Sequence, residues 1–116
     1  MRVKRGVVSR RKHNKLLKLA EGYRGTRSTL VKTAKQAVLQ AGQYAYQGRK
    51  NRKRDMRQLW ITRISEAVKT QDLSYSMFVD KLKKSNVVLD RKILSDLVVN
   101  DPETFKDIVD RVKNAN

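Results

Sequence analysis

Six of the nine residues in Arg49-Lys50-Asn51-Arg52-Lys53-Arg54-Asp55-Met56-Arg57 are basic. Guanidinium and ammonium groups at that density suit one chemistry above others, the neutralisation and hydrogen bonding of phosphates. Arginine adds bidentate phosphate contacts and planar stacking on bases, which lysine lacks. On a helix, at about 100° per residue, these side chains are expected to point nearly all round the axis. A membrane-surface helix would instead segregate its charge opposite a broad apolar face. Charge on all sides suits a rod threaded between several RNA segments.

The surroundings of the run argue against a merely solvated patch. The chain has 116 residues, with 28 Lys or Arg against 11 Asp or Glu and a formal net charge of +17. Residues 1–60 hold 18 of the basic side chains and only Glu21 and Asp55 as acids, a net of +16; residues 61–116 hold 10 basic and 9 acidic groups, a net of +1. Charge so unbalanced opposes compaction by self-repulsion. A polyanionic partner that releases its counterions when neutralised accounts for it. The residues expected to make contact are Arg2, Lys4, Arg5, Arg10, Arg11, Lys12, His13, Lys15, Lys18, Arg24, Arg27, Lys32 and Lys35 ahead of the dense run. Arg49, Lys50, Arg52, Lys53, Arg54 and Arg57 follow within it, and Arg63 lies beyond.

Aromatic rings are interleaved with this charge at Tyr23, Tyr44, Tyr46 and Trp60. RNA readers stack unpaired bases or riboses on such rings. Tyr44 and Tyr46 fall where little protein is expected to cover them, so RNA contact is their expected role. Tyr23, between glycines, suits contact or packing. Trp60, beside Leu59 and Ile64, is expected in a core.

The sequence offers no catalytic constellation. His13 is the single histidine, in a basic stretch with no carboxylate nearby to orient it, and suits a nucleic-acid contact or a surface position better than a general base. The acids of the second half are scattered, as helix caps and solubilising charge would be. There is no cysteine, hence no disulfide or thiolate metal site, and neither a Gly-rich phosphate loop nor a Cys/His metal spacing appears. Enzymatic activity, a cofactor, a metal and a small-molecule substrate are therefore not expected. No apolar run approaches the roughly 20 residues that a membrane span needs, so no membrane partner is expected. The Arg-rich, acid-poor start imitates an organelle transit peptide but is read as a retained part of a cytosolic chain. A DNA-architectural protein of the nucleoid shares the charge argument, yet no groove-reading or intercalating module is recognisable. The charge distribution over residues 49–57 opposes a membrane-active cationic helix.

Helices must position these groups, and the chain is expected to be all-α. Residues 1–8 have no helical period and read as a basic tail that orders only on a partner. Ser9 is expected to cap a helix from about Arg10 to Glu21, Gly22 to stop it, and Gly22-Tyr23-Arg24-Gly25 to form a tight turn. Thr26 or Ser28 then caps a helix spanning about residues 27 to 71. At about 1.5 Å per residue it is on the order of 65 Å long, with Gly42 and Gly48 as weak points where a bend could form. Its stripe of Leu30, Ala34, Ala37, Ala41 and Ala45 recurs at helical spacing; helix propensity alone explains the alanines, and so does close approach of a nucleic-acid backbone. From Leu59 the apolar face widens. Ser74, Asp90 and the pair Asp101-Pro102 each open a short helix. The expected architecture is a long basic N-terminal helical extension over residues 1–58 (tail, short helix, long helix) and a small compact helical C-terminal domain over residues 59–116.

Lys53-Arg54-Asp55-Met56-Arg57-Gln58-Leu59-Trp60-Ile61-Thr62-Arg63-Ile64-Ser65, with Lys69 following, resembles the signature of the bacterial large-subunit ribosomal protein twenty family. Val3-Lys4-Arg5-Gly6, Gly22-Tyr23-Arg24-Gly25, Ala34-Lys35-Gln36-Ala37, Ala41-Gly42-Gln43-Tyr44-Ala45-Tyr46, Leu73-Ser74-Tyr75-Ser76 and Asp90-Arg91-Lys92-Ile93-Leu94 are similar to the same family. The resemblance spans nearly the whole chain, and the Leu-Trp-Ile-Thr-Arg-Ile block is its most specific part. It implies a basic helical extension that penetrates large-subunit ribosomal RNA and a C-terminal domain on the outer side of the subunit, touching neighbouring ribosomal proteins. It also implies a cytoplasmic location in that subunit, an early role in its assembly and, in some bacteria, repression of the protein's own messenger. Where the family commonly has Arg-Asp-Arg, this chain has Gln47-Gly48-Arg49. No family contact is therefore carried over to Gln47.

Overall fold

A computed structural model describes residues 4–114. They form five α-helices and one 3-10 turn, with no strand among the described residues: α1 (Gly6–Leu19), the 3-10 turn (Gly25–Ser28), α2 (Val31–Lys69), α3 (Tyr75–Lys84), α4 (Arg91–Asn100) and α5 (Pro102–Asn114). The all-α expectation is met. Backbone contacts divide the chain into two compact units that meet between Lys50 and Asn51, inside α2.

In the N-terminal unit, α1 begins four residues before the expected start. Arg5 stands at its N-cap without a side-chain cap bond, and Ser9 lies inside the helix, its N–H donating to the Arg5 carbonyl at 3.0 Å. Residues 6–8 are thus helical rather than part of a tail; Arg2 lies outside the described residues. The helix closes at Leu19, earlier than Glu21, and Gly22 takes the left-handed conformation at φ +85°, which costs glycine nothing. A second turn follows at Gly25, φ +61°. Neither Thr26 nor Ser28 caps α2. The Ser28 hydroxyl donates back to the Gly25 carbonyl, and the Thr26 carbonyl accepts from the Leu30 N–H at 2.8 Å and the Thr33 hydroxyl at 2.9 Å. These local bonds tighten residues 25–28 into a 3-10 turn and delay the helix to Val31. Once started, α2 runs 39 residues without interruption at Gly42 or Gly48. Among the described residues of this unit only Ala20 and Ala34 are buried, so it has almost no apolar core.

The C-terminal unit is built on the expected caps. The Ser74 hydroxyl accepts from the Met77 N–H at 3.3 Å, Asp90 from the Ile93 N–H at 2.8 Å, and Asp101 from the Thr104 N–H at 3.1 Å, each relieving an unpaired amide of a first helical turn. Two helices end alike. Asp72 and Asn86 adopt left-handed backbone at φ 57° and 54°, and the next residues, Leu73 and Val87, donate back to the Val68 and Leu82 carbonyls, the reversed-turn closure usual at helix ends. The core is Ile64, Val68, Leu73, Phe78, Leu82, Leu94, Phe105, Val109 and Val112, with α5 contacting both α3 and α4. Lys113 near the end of α5 donates to the Gln71 carbonyl, while Lys81 of α3 donates to the Lys113 carbonyl at 2.9 Å. A cation thereby meets the negative end of the α5 dipole.

Trp60 and Leu59 depart from expectation. Both face outward enough to fall outside this core: Leu59 is exposed and Trp60 half-buried. In the C-terminal unit the buried face of α2 begins one turn later, at Ile64 and Val68, where it joins the core built with the other helices.

Candidate nucleic-acid interface

The helices distribute the basic groups without consuming them. Lys4 and Arg5 precede α1; Arg10, Arg11, Lys12, His13, Lys15 and Lys18 lie on it; Arg24 and Arg27 flank and join the 3-10 turn; Lys32, Lys35, Arg49, Lys50, Arg52, Lys53, Arg54, Arg57 and Arg63 ride on α2. Every one is exposed. Among the described residues through residue 60, no Lys or Arg donates a side-chain hydrogen bond or forms an ion pair with the protein; the two ion pairs found are Lys69–Glu66 at 2.7 Å and Lys84–Asp80 at 2.9 Å. Three cations beyond residue 60 behave differently. Lys81, Arg91 and Lys113 are half-buried, and each donates to a protein acceptor, Arg91 to the Tyr75 hydroxyl at 2.9 Å. Lys81, Arg91 and Lys113 thus brace the fold, whereas the described Lys and Arg side chains through residue 60 leave their donors free.

The dense run needs one correction. At about 100° per residue, its six basic side chains sweep about 200° of the α2 surface, leaving an arc of Asn51, Asp55, Gln58 and Leu59. The charge is a broad face rather than a full sleeve. The remaining arc is mostly polar, so the face still differs from that of a membrane-surface helix, and no helix among the described residues is long and apolar enough to cross a membrane.

The aromatic residues separate into three settings. Tyr46 lies under the Lys50 ammonium, 4.6 Å from ring centroid to Nζ, a cation–π contact. Tyr44 is 64% exposed and Tyr23 half-buried; together with Arg24, Arg27, Ala37 and Ala41 they line an open cleft of about 530 Å³. Trp60 and Arg63 line another, of about 540 Å³, with Lys92, Ile93 and the buried Ser95, whose hydroxyl has no hydrogen-bond partner. Lys92 and the cleft residue Gln40 were not among the expected contacts. No sequence signal marks either, because each joins its cleft only through tertiary proximity.

Among the described residues no group of three His, Cys, Asp or Glu side chains is placed to hold a metal ion. Asp101, whose carboxylate accepts from the Thr104 hydroxyl and N–H, is held below its ordinary pKa of 3.8 by those two bonds, the hydroxyl contributing more. That carboxylate serves as a helix cap.

Fold and surface define a small all-helical polycationic protein with a folded C-terminal unit. The family described as ribosomal protein L20 matches residues 2–108. Curated proteins named large ribosomal subunit protein bL20, from Burkholderia ambifaria (strain MC40-6) and Paraburkholderia phytofirmans, are each 54% identical to the chain over 114 residues, covering 98% of it and 96% of their own length. One from Burkholderia cenocepacia has the same identity and coverage. The chain belongs to the ribosomal protein L20 family. Membership makes it a structural protein of the large ribosomal subunit, located with that particle in the cytoplasm, and not a member of an enzyme family.

Proposed function

We propose that the chain binds large-subunit ribosomal RNA directly through the helices of its first sixty residues and supports early assembly of the subunit by neutralising and locking converging RNA helices. The observation that carries this reading is the set of exposed Lys and Arg side chains, among the described residues through residue 60, that find no acceptor within the protein. Phosphates supply both the missing acceptors and the missing charge, and the released counterions drive association. Among the described residues through residue 60 only Ala20 and Ala34 are buried, so contacts with RNA complete the packing of this stretch. The C-terminal unit, nearly neutral beyond residue 60 and with its own core, anchors the chain and meets neighbouring ribosomal proteins. Repression of the chain's own messenger would reuse the same surface on an RNA that imitates the ribosomal site.

Competition binding tests this reading. A folded large-subunit ribosomal RNA fragment should outcompete duplex DNA of equal length for the full chain. Equal affinity would favour a DNA-architectural role instead.

A further inference from the structure

The cleft of the N-terminal unit has a composition that general phosphate neutralisation does not need. Tyr23 reaches it from the turn set by Gly22, and Tyr44 from α2, 21 residues further on. The small side chains of Ala37 and Ala41 also line it, as do Arg24 and Arg27, which have no ion-pair partner among the described residues. A volume of about 530 Å³ lies within the roughly 300–1,000 Å³ of sites that hold small organic ligands. Aromatic rings, small side chains and guanidinium groups lining one cleft complement a planar ring bearing a phosphate. A paired base cannot enter such a cleft, since both of its faces are already stacked in the helix. We propose that the cleft receives one unpaired nucleotide of large-subunit ribosomal RNA, its base against Tyr23 and Tyr44 over Ala37 and Ala41, its phosphate at Arg24 and Arg27. The Gln40 side chain, also lining the cleft, offers both a donor and an acceptor to the base edge.

The inference rests on the RNA-binding reading above, and the two can fail separately. Ala41→Leu narrows the cleft without altering charge and at little cost in helix propensity, and Tyr44→Ala removes one aromatic ring from an exposed position. Binding of the full chain to full-length large-subunit ribosomal RNA is measured across a salt series, together with base-specific chemical modification of the RNA. Both variants should weaken binding about tenfold, the scale of losing one stacked base, while the salt slope stays that of the unaltered chain. One nucleotide protected by the unaltered chain should become reactive with both. Tyr44→Phe should restore most of what Tyr44→Ala loses. Affinities within twofold and an unchanged modification pattern for Ala41→Leu would overturn the cleft proposal, as would a loss that appears only as a shallower salt slope. If the unaltered chain itself fails to bind the RNA, the RNA-binding reading fails and takes the cleft proposal with it.

Discussion

Phe78 of α3 and Phe105 of α5 meet with ring centroids 6.0 Å apart and planes inclined at 55°, a tilted aromatic pair whose members are both buried. The contact joins two of the helices that close the C-terminal core, in a geometry that aromatic quadrupoles favour. Phe78→Ala should therefore cost about 3–5 kcal/mol, a large share of the roughly 5–15 kcal/mol available to a small domain. Denaturant unfolding of the full chain, followed by circular dichroism, measures it. A loss below about 1 kcal/mol would place Phe78 outside the core, where such substitutions cost little.

The Asp101 cap makes a pH prediction. Its carboxyl pKa is lowered in the folded chain, so the ionised form is favoured by folding. The resulting stabilisation is complete above the ordinary value of 3.8 and is lost as pH falls through the lower folded value. NMR titration of the Asp101 carboxyl carbon should show a midpoint below that of an unfolded peptide. Thr104→Val, which deletes the hydroxyl donor but keeps the backbone N–H, should move the midpoint up. An identical midpoint in both proteins would remove the hydroxyl as its cause.

Caps of this kind explain which parts of the fold were legible in sequence. Ser74, Asp90 and Asp101 each act on the amide three residues on, so their role can be read from local order alone. The start of α1 carries no such signal, because Arg5 stands at the cap with no side-chain bond. The 3-10 turn was hidden because Thr26 and Ser28 have the right chemistry for caps, yet the Ser28 hydroxyl donates back to the Gly25 carbonyl and Thr26 bonds through its carbonyl. Trp60 misled for a different reason: an apolar face records that burial is wanted, but which turn of a helix receives it depends on what packs there. The candidate interface was legible as charge and not as shape. Tyr44 and Tyr46 look equivalent in the chain, and only the folded structure puts one beside Tyr23 and the other beneath Lys50.

Gly48 offers a test of α2 itself. A Cβ built at that position meets no atom within 4 Å, and the residue lies inside the helix. Gly48→Ala should stabilise α2 by about 0.4–1 kcal/mol, chiefly by restricting the unfolded chain, and should raise the helical circular dichroism signal of the free protein. An unchanged or smaller signal would mean that the helix is interrupted there.

The contrast between the two units should appear in hydrogen exchange of the free protein. Amides of α3, α4 and α5 should be strongly protected, because their opening exposes the apolar core. Those of α1 and the first half of α2 should exchange orders of magnitude faster, since little besides Ala20 and Ala34 is buried there. Adding large-subunit ribosomal RNA should slow exchange in α1 and α2 selectively. Equal protection of both units before RNA is added would contradict the division.

Individual cations of the dense run should behave as phosphate contacts. Arg52→Gln and Arg54→Gln should each weaken RNA binding and reduce the magnitude of its salt slope by about one. A weakened affinity with an unaltered slope would mean that these side chains act on something other than phosphates.

The central claim is that the free cations of residues 4–60 exist to neutralise ribosomal RNA, and a salt titration of the full chain on that RNA tests it most directly. The logarithm of the affinity should fall linearly with the logarithm of salt concentration, at about 0.7–0.9 per phosphate neutralised, so that six to ten contacts cost roughly a thousandfold to a hundred-thousandfold between about 50 and 200 mM. An affinity that changes by less than about tenfold over that range would contradict the claim, since so flat a response corresponds to at most a couple of phosphates.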